Sequence, residues 1–344
     1  MEKKLFGFFI PLCIIGFLGF WISTMFFGTV PITEYGVFSV KDSGENSWSF
    51  TRSLKSENFS AEMIANPNIE LYLADVHAVV ESYNGVNINV EVKNTSNSQI
   101  KVTLNRLGDD TTSIRIENDS IFNFGFGLFN INFGGFDGGS INRKQVVIKV
   151  PNKFYDNVKI VQGSGKSEIN GIDAYKNDID IGSGEFSFSK NKNFTSDSFN
   201  IDLGSGKATF TGMAAKKYDI DIGSGELNAS GIRGTGDIDM GSGNAHLSFD
   251  ESPKGSLDMG SGYMKMELPY IAMTTFKFDI GSGTVEINTE KEILLFGHLG
   301  AKEYQFGYIT PSAEFSIGLG SGKVDIGYQG FTPGAVSSQT SYAN

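Results

Sequence analysis

Six aspartates occupy one place in a repeat, each two residues ahead of a Gly-Ser-Gly tripeptide: Asp180, Asp202, Asp221, Asp239, Asp258 and Asp279. Asp178, Asp219 and Asp237 occupy the place two residues earlier. Carboxylates in file could hold a hard divalent cation, which makes the six a candidate calcium stripe. Stacked at strand spacing they would repel one another by about 1 kcal/mol per neighbour in water, and a cation would relieve this. The chain has neither an Asp-x-Asp-x-Asp-Gly loop nor the Gly-Gly-x-Gly-x-Asp nonapeptide of calcium-loaded β-rolls. Without loop carbonyls the ligand number is poor. A solvated acidic face that opposes sideways aggregation is therefore the preferred reading.

Other chemistry is sparse. His77, His246 and His298 are far apart and none has a metal-ligand spacing. Gly163-Ser-Gly-Lys-Ser167 and Gly320-Ser-Gly-Lys323 resemble phosphate loops, but Ile160 and Ile317 stand where the first glycine belongs. The corner serines have no nearby histidine and are expected to hydrogen-bond along their own stack. A glycan-cleaving β-helix would need one special carboxylate pair, which a regular acidic column does not single out. The expectation is a protein that is not an enzyme, with no catalytic residue and no cofactor beyond the candidate calcium.

These residues are placed by the repeat itself. Gly-Ser-Gly begins at Gly163, Gly182, Gly204, Gly223, Gly241, Gly260, Gly281 and Gly320, at intervals of 19, 22, 19, 18, 19, 21 and 39 residues. The last interval is a double step with a degenerate coil at Leu299-Gly300-Ala301. Before six of the eight corners runs apolar-Asp-apolar, as in Ile179-Asp180-Ile181 and Phe278-Asp279-Ile280. After it apolar residues recur at every second position, as in Phe186 and Phe188 or Val285 and Ile287. Both flanks have the period of a strand with one buried face. Corners such as Gly182-Ser183-Gly184 and Gly223-Ser224-Gly225 then turn the chain where side chains would not fit. Coils of about twenty residues stacked ~4.8 Å apart make an all-β, single-stranded β-solenoid (β-helix), and nine would span roughly 40 Å. In that stack Lys166, Glu185, Lys207 and Glu226 alternate in sign, each pair adding about 0.2–1 kcal/mol. A helix fails, because glycine every few residues costs about 1 kcal/mol each.

Composition agrees. The 344 residues include 43 glycines but only 8 prolines, with 29 phenylalanines and 12 tyrosines, so the glycine punctuates strands rather than loosening the chain. A net charge of −11 argues against nucleic-acid binding. The single cysteine, Cys13, leaves no disulfide framework.

Leu5 to Phe27 carries no charge and follows Lys3 and Lys4. As a helix it would span roughly 34 Å, enough to cross a bilayer. The lysines favour a cytoplasmic N-terminus with everything after Phe27 exported. The run is too long for a signal peptide and ends without an Ala-x-Ala-like site, so an uncleaved anchor is expected over 1–28. A polar spacer is expected over 29–68, an N-terminal β region of irregular coils or a cap over 69–160, the repeat solenoid over 161–330 and a disordered tail over 331–344. Within the second region lies a Phe/Gly-rich insert, 121–140. Its Phe122, Phe124 and Phe126 could form a partner surface, although alternating Phe and Asn also describes a half-buried strand packed over the solenoid end, which is preferred.

Val146-Val-Ile-Lys-Val-Pro-Asn-Lys-Phe-Tyr-Asp-Asn-Val-Lys-Ile-Val-Gln-Gly-Ser-Gly165, with the Asp-Ile-Gly-Ser-Gly coils after it, resembles the putative-adhesin β-solenoid domain family of bacterial envelope proteins. The likeness runs from about residue 69 to 328. It implies a bacterial source, a rod-like β fold and little chemistry, with some relatives linked to envelope stress. The Phe-rich insert and the coil near Gly300 depart from the pattern. The expected function is a membrane-anchored, exported envelope protein whose ectodomain mediates adhesion or contacts envelope components. The alternative is a scaffold that self-associates through its ends.

Overall fold

Alternation of apolar and polar residues with glycine corners makes strands that must each bury one face, and the cheapest way to do so is to stack them. The computed structural model shows this arrangement. It describes residues 39–42, 48–55, 58–94, 99–108, 110–118, 121–126, 129–134, 144–190, 193–288, 293–297, 302–306, 311, 313–329 and 340–342. The expected anchor at 1–28, His298 and the degenerate corner at 299–301 lie outside these residues.

Twenty-seven strands hydrogen-bond into one continuous sheet. It folds into two faces, with each coil contributing one strand to each. On the first face Phe154–Gln162, Asp173–Ile181, Ser196–Leu203, Ala214–Ile222 and the latter half of Glu226–Met240 run parallel and in register. On the second face Gly165–Asn170, Glu185–Ser189, Lys207–Thr211, the first half of Glu226–Met240 and Asn244–Phe249 do the same. Inward residues of both faces meet in one core, where Phe188 and Phe210 contact Phe199 edge-on across the coil at 5.6 and 5.8 Å between ring centres.

Corner sits on corner. Ser183 N–H donates to Gly163 O at 3.0 Å, and Ser205, Ser224, Ser242 and Ser261 donate likewise to Gly182, Gly204, Gly223 and Gly241. The second glycine of each corner is required by this contact. A Cβ on Gly206 would sit 2.5 Å from Gly184 O, and one on Gly243 would sit 2.5 Å from Gly225 O.

At the C-terminal end the order of coils departs from the order of the chain. Lys254–Met259 and Tyr263–Leu268 are covered by Ala313–Leu319 and Lys323–Tyr328, and only then by Thr274–Ile280 and Thr284–Asn288. The corner ladder follows this path, Ser321 donating to Gly260 O and Ser282 to Gly320 O. The expected sequential stacking of the 260 and 281 coils is therefore corrected: a later coil with the complete repeat lies between them. On either side of the degenerate corner, Ile293–Phe296 and Lys302–Phe306 pair antiparallel with Thr284–Asn288 and Thr274–Ile280, closing the end.

The other end is built similarly. Asn68–Leu73 and Val76–Tyr83 lie between the coil of Phe154–Gln162 and Gly165–Asn170 and a coil of Thr111–Asn118 and Lys144–Pro151. Beyond it, Gln99–Leu107 and Asn87–Asn94, then Trp48–Lys55 and Asn58–Ile64, add antiparallel layers. The stretch expected as a polar spacer thus contributes strands, with Leu54, Phe59 and Met63 in the core. The tail expected to be disordered contributes Thr340–Tyr342, paired with Ile293–Phe296.

The Phe/Gly-rich insert leaves the body where a Gly-Ser-Gly corner would be, between Thr111–Asn118 and Lys144–Pro151. Its Ile121–Phe126 and Phe129–Gly134 form a separate antiparallel hairpin, unpaired with the main sheet. The side chains of Phe122, Phe124 and Phe126 lie outside the description. At the base of the insert the buried Lys144 donates to Asp75 Oδ2 at 3.0 Å, tying it to the neighbouring corner.

Candidate functional site

Two surfaces gather polar groups, and register creates both. On the first face Asp180, Asp202, Asp221, Asp239 and Asp258 stack in that order and all are exposed. Gly318 follows Asp258, and Asp279 lies beyond Gly318, so the sixth aspartate is separated from the five. Partial burial, then the charges of Asp202 and Asp178, raise the Asp180 carboxyl above its ordinary range. Partial burial followed by Asp219, Asp239 and Asp202 does the same to Asp221. In the adjoining column Ser256 Oγ donates to Asp237 Oδ1 at 2.6 Å and Lys159 lies 3.9 Å from Asp178. Among the described residues no three acidic, imidazole or thiol side chains converge as a metal cage.

The second surface is a groove of ≈ 800 Å³ along the corner edge. One wall is the column His77, Lys166, Glu185, Lys207, Glu226, Asn244, each the register partner of the next. The other wall is the corner serines Ser164, Ser183, Ser205 and Ser224. Five steps at ~4.8 Å make the groove about 24 Å long. The serines are exposed. The backbone N–H groups of Ser183, Ser205 and Ser224 and the carbonyl of Ser164 carry the stack, so among the described residues main-chain bonds stand where hydroxyl bonds were expected.

The alternating charges pair unevenly. Lys207 Nζ lies 2.7 Å from Glu226 Oε1, and this bond, then Asn228, holds the Glu226 carboxyl below its usual range. Lys166 instead turns along its own strand to Glu168, at 2.9 Å. Among the described residues Glu185 makes no ion pair.

The histidines are not brought together. His77 Nε2 is buried without a hydrogen-bond partner, 4.0 Å from Glu168 Oε1. His246 Nε2 lies 3.2 Å from Glu267 Oε2, and its strand is four coils away from the Lys166 strand. The sequence reading missed His77 and Asn244 as the groove's two ends. Asn244 was recoverable, since it follows the corner at Gly241 as Glu226 follows the corner at Gly223. His77 follows Ala74-Asp75, a corner without the tripeptide, and carried no signal.

A second missed feature is Lys190, buried at the turn joining second face to first. Its Nζ donates to Ser196 Oγ at 2.8 Å and Ala214 O at 2.9 Å, and lies 5.0 Å from the Phe194 ring centre. Burial lowers its pKa to about 8, against an opposing pull from Asp173.

Comparison with known proteins gives a family and two distant likenesses. The structure of a "putative cell adhesion protein" from Clostridium sporogenes aligns over 79% of this chain and 100% of its own, at 14% identity and a TM-score of 0.26. That of a "putative adhesin" from Bacteroides fragilis aligns over 81% and 96%, at 12% identity and a TM-score of 0.32. No curated protein matches the chain. The Toastrack DUF4097 profile matches residues 66–297, from the first inner coil to the strand that closes the far end. The chain belongs to the Toastrack DUF4097 family.

Proposed function

We propose that this is a membrane-anchored, exported bacterial envelope protein whose β-solenoid ectodomain binds without catalysis and serves adhesion or contacts between envelope components. A role in envelope stress is the narrower form of this reading. The observation that carries it is repetition: the corner edge offers hydroxyls and charged groups at every rung. Such a surface suits an extended partner held at many equivalent points rather than one reacting bond. The apolar run Leu5–Phe27 supports the anchor.

The test is external protease on intact cells, followed by crosslinking with the anchor retained. The expected result is loss of the β domain, protection of the N-terminal run, and crosslinks to envelope components. Recovery of the whole chain in the soluble cell fraction would overturn the reading.

Self-assembly through the rod ends is the second reading. It is favoured by the end strands Ser39–Asp42 and Lys302–Phe306, each paired on one side only among the described residues. Sedimentation across a concentration series tests it, growth into filaments being the expected sign.

A further inference from the structure

We infer that the corner groove binds a linear glycan built from a disaccharide repeat, one sugar carrying a carboxylate and the next an amide or hydroxyl donor. This deepens the proposed function and rests on it for the setting, though not for the binding itself.

The argument begins with spacing. Successive rungs of the groove are ~4.8 Å apart, so a ligand lying along it must repeat at nearly that distance to meet equivalent groups. An extended peptide presents equivalent side chains every two residues, roughly 6.6 Å, and falls out of step. A polynucleotide carries a phosphate on every unit and would set anions against Glu185 and Glu226 as well as against the lysines. A β-linked chain of pyranose rings advances by close to one rung per sugar, and its hydroxyls can both give to and take from a row of serine hydroxyls.

Charge sets the second period. Lys166 and Lys207 are two rungs apart, as are Glu185 and Glu226. Cations therefore recur at about 9.6 Å, with anions midway. A carboxylate on every second sugar would meet the lysines, and amide or hydroxyl donors on the sugars between would meet Glu185 and Glu226. The groups are free to respond. Lys166 and Lys207 have side chains 45% and 54% exposed, and ion pairs so placed are exchanged for a ligand carboxylate at small cost. Glu185 has no competing ion pair among the described residues. The Ser183 and Ser205 hydroxyls are committed to no protein acceptor there. His77 Nε2, buried and without a hydrogen-bond partner, closes one end.

The experiment is calorimetric titration of the full-length chain in detergent with three octasaccharides: hyaluronan, which alternates uronic acid and N-acetyl sugar; chitin, neutral throughout; and polygalacturonate, acidic at every ring. The expected order is hyaluronan bound at least tenfold more tightly than either of the others. Lys166→Glu with Lys207→Glu should lower that affinity at least tenfold. Lys217→Glu, on the other face, should leave it within twofold, with circular dichroism unchanged in every variant. No binding of any octasaccharide, equal binding of hyaluronan and polygalacturonate, or indifference to the Lys166/Lys207 pair would each overturn the inference. Envelope crosslinks that persist in the double variant would show the glycan site wrong while the envelope role stands.

Discussion

Asp258 lies beside Gly318, and Gly318 lies beside Asp279, so the one gap in the aspartate column falls where a later coil has slipped between two consecutive ones. A Cβ on Gly318 would collide with Asp258 Oδ1, the free end of a side chain that can swing aside. Gly318→Asp should therefore cost mainly charge repulsion, about 1–2 kcal/mol at pH 7. Two carboxyls of this column, Asp180 and Asp221, have folded pKa values raised above 3.8. The folded state thus holds their protons more firmly, and their contribution to stability grows as pH falls toward the unfolded value. Melting curves of wild type and variant should converge on acidification. A gap that widens at low pH would refute the repulsion argument.

The corner glycines and the corner serines should respond in opposite ways. Gly206→Ala drives a methyl into Gly184 O, a main-chain atom fixed by the stack, and should cost about 2–3 kcal/mol. Ser205→Ala removes an exposed hydroxyl and should stay within about 0.5 kcal/mol. Urea unfolding of the two variants decides; similar midpoints would mean that the corners are not in steric contact.

Lys190 gives the fold an alkaline signature. Its folded pKa of about 8 lies below the unfolded 10.5, so between these values the unfolded chain binds more protons. The stability this contributes is present above the unfolded value and lost as pH falls through the folded one. Relative to Lys190→Met, the wild type should gain up to about 1.4 kcal/mol per pH unit from pH 8 to 10. The comparison between the two proteins removes the titration of other groups. Parallel pH profiles would show that Lys190 titrates like a surface lysine.

Leu54 tests whether the N-terminal layers belong to the folded body. It is fully buried in Trp48–Lys55, which pairs with Gln99–Leu107. Leu54→Ala should cost about 3 kcal/mol. A cost near zero would return this stretch to the role of a spacer.

Much of this architecture was legible in particular residues. Phe186 and Phe188, or Val285 and Ile287, announce inward positions by period two, and the corner tripeptide marks each turn. The Lys207–Glu226 pair followed from stacking coils in order. The strands at 48–64 were obscured by polar neighbours, because their partners Gln99–Leu107 and Asn87–Asn94 come later in the chain. Ile317-Gly318-Leu319, which lacks the aspartate of its repeat, was the one local hint that its coil occupies a different setting.

Taken alone, the amino-acid sequence determined the coil: strand, corner, strand, with fixed inward and outward residues. Those choices are local, made by side-chain alternation and by the space a glycine leaves. Tertiary structure decided the order of the coils, how each end is closed, and which carboxylate Lys166 meets. Every repeat offers its neighbours nearly the same hydrogen-bonding edge, so several coils fit any given one. Only the packing of the whole stack selects among them.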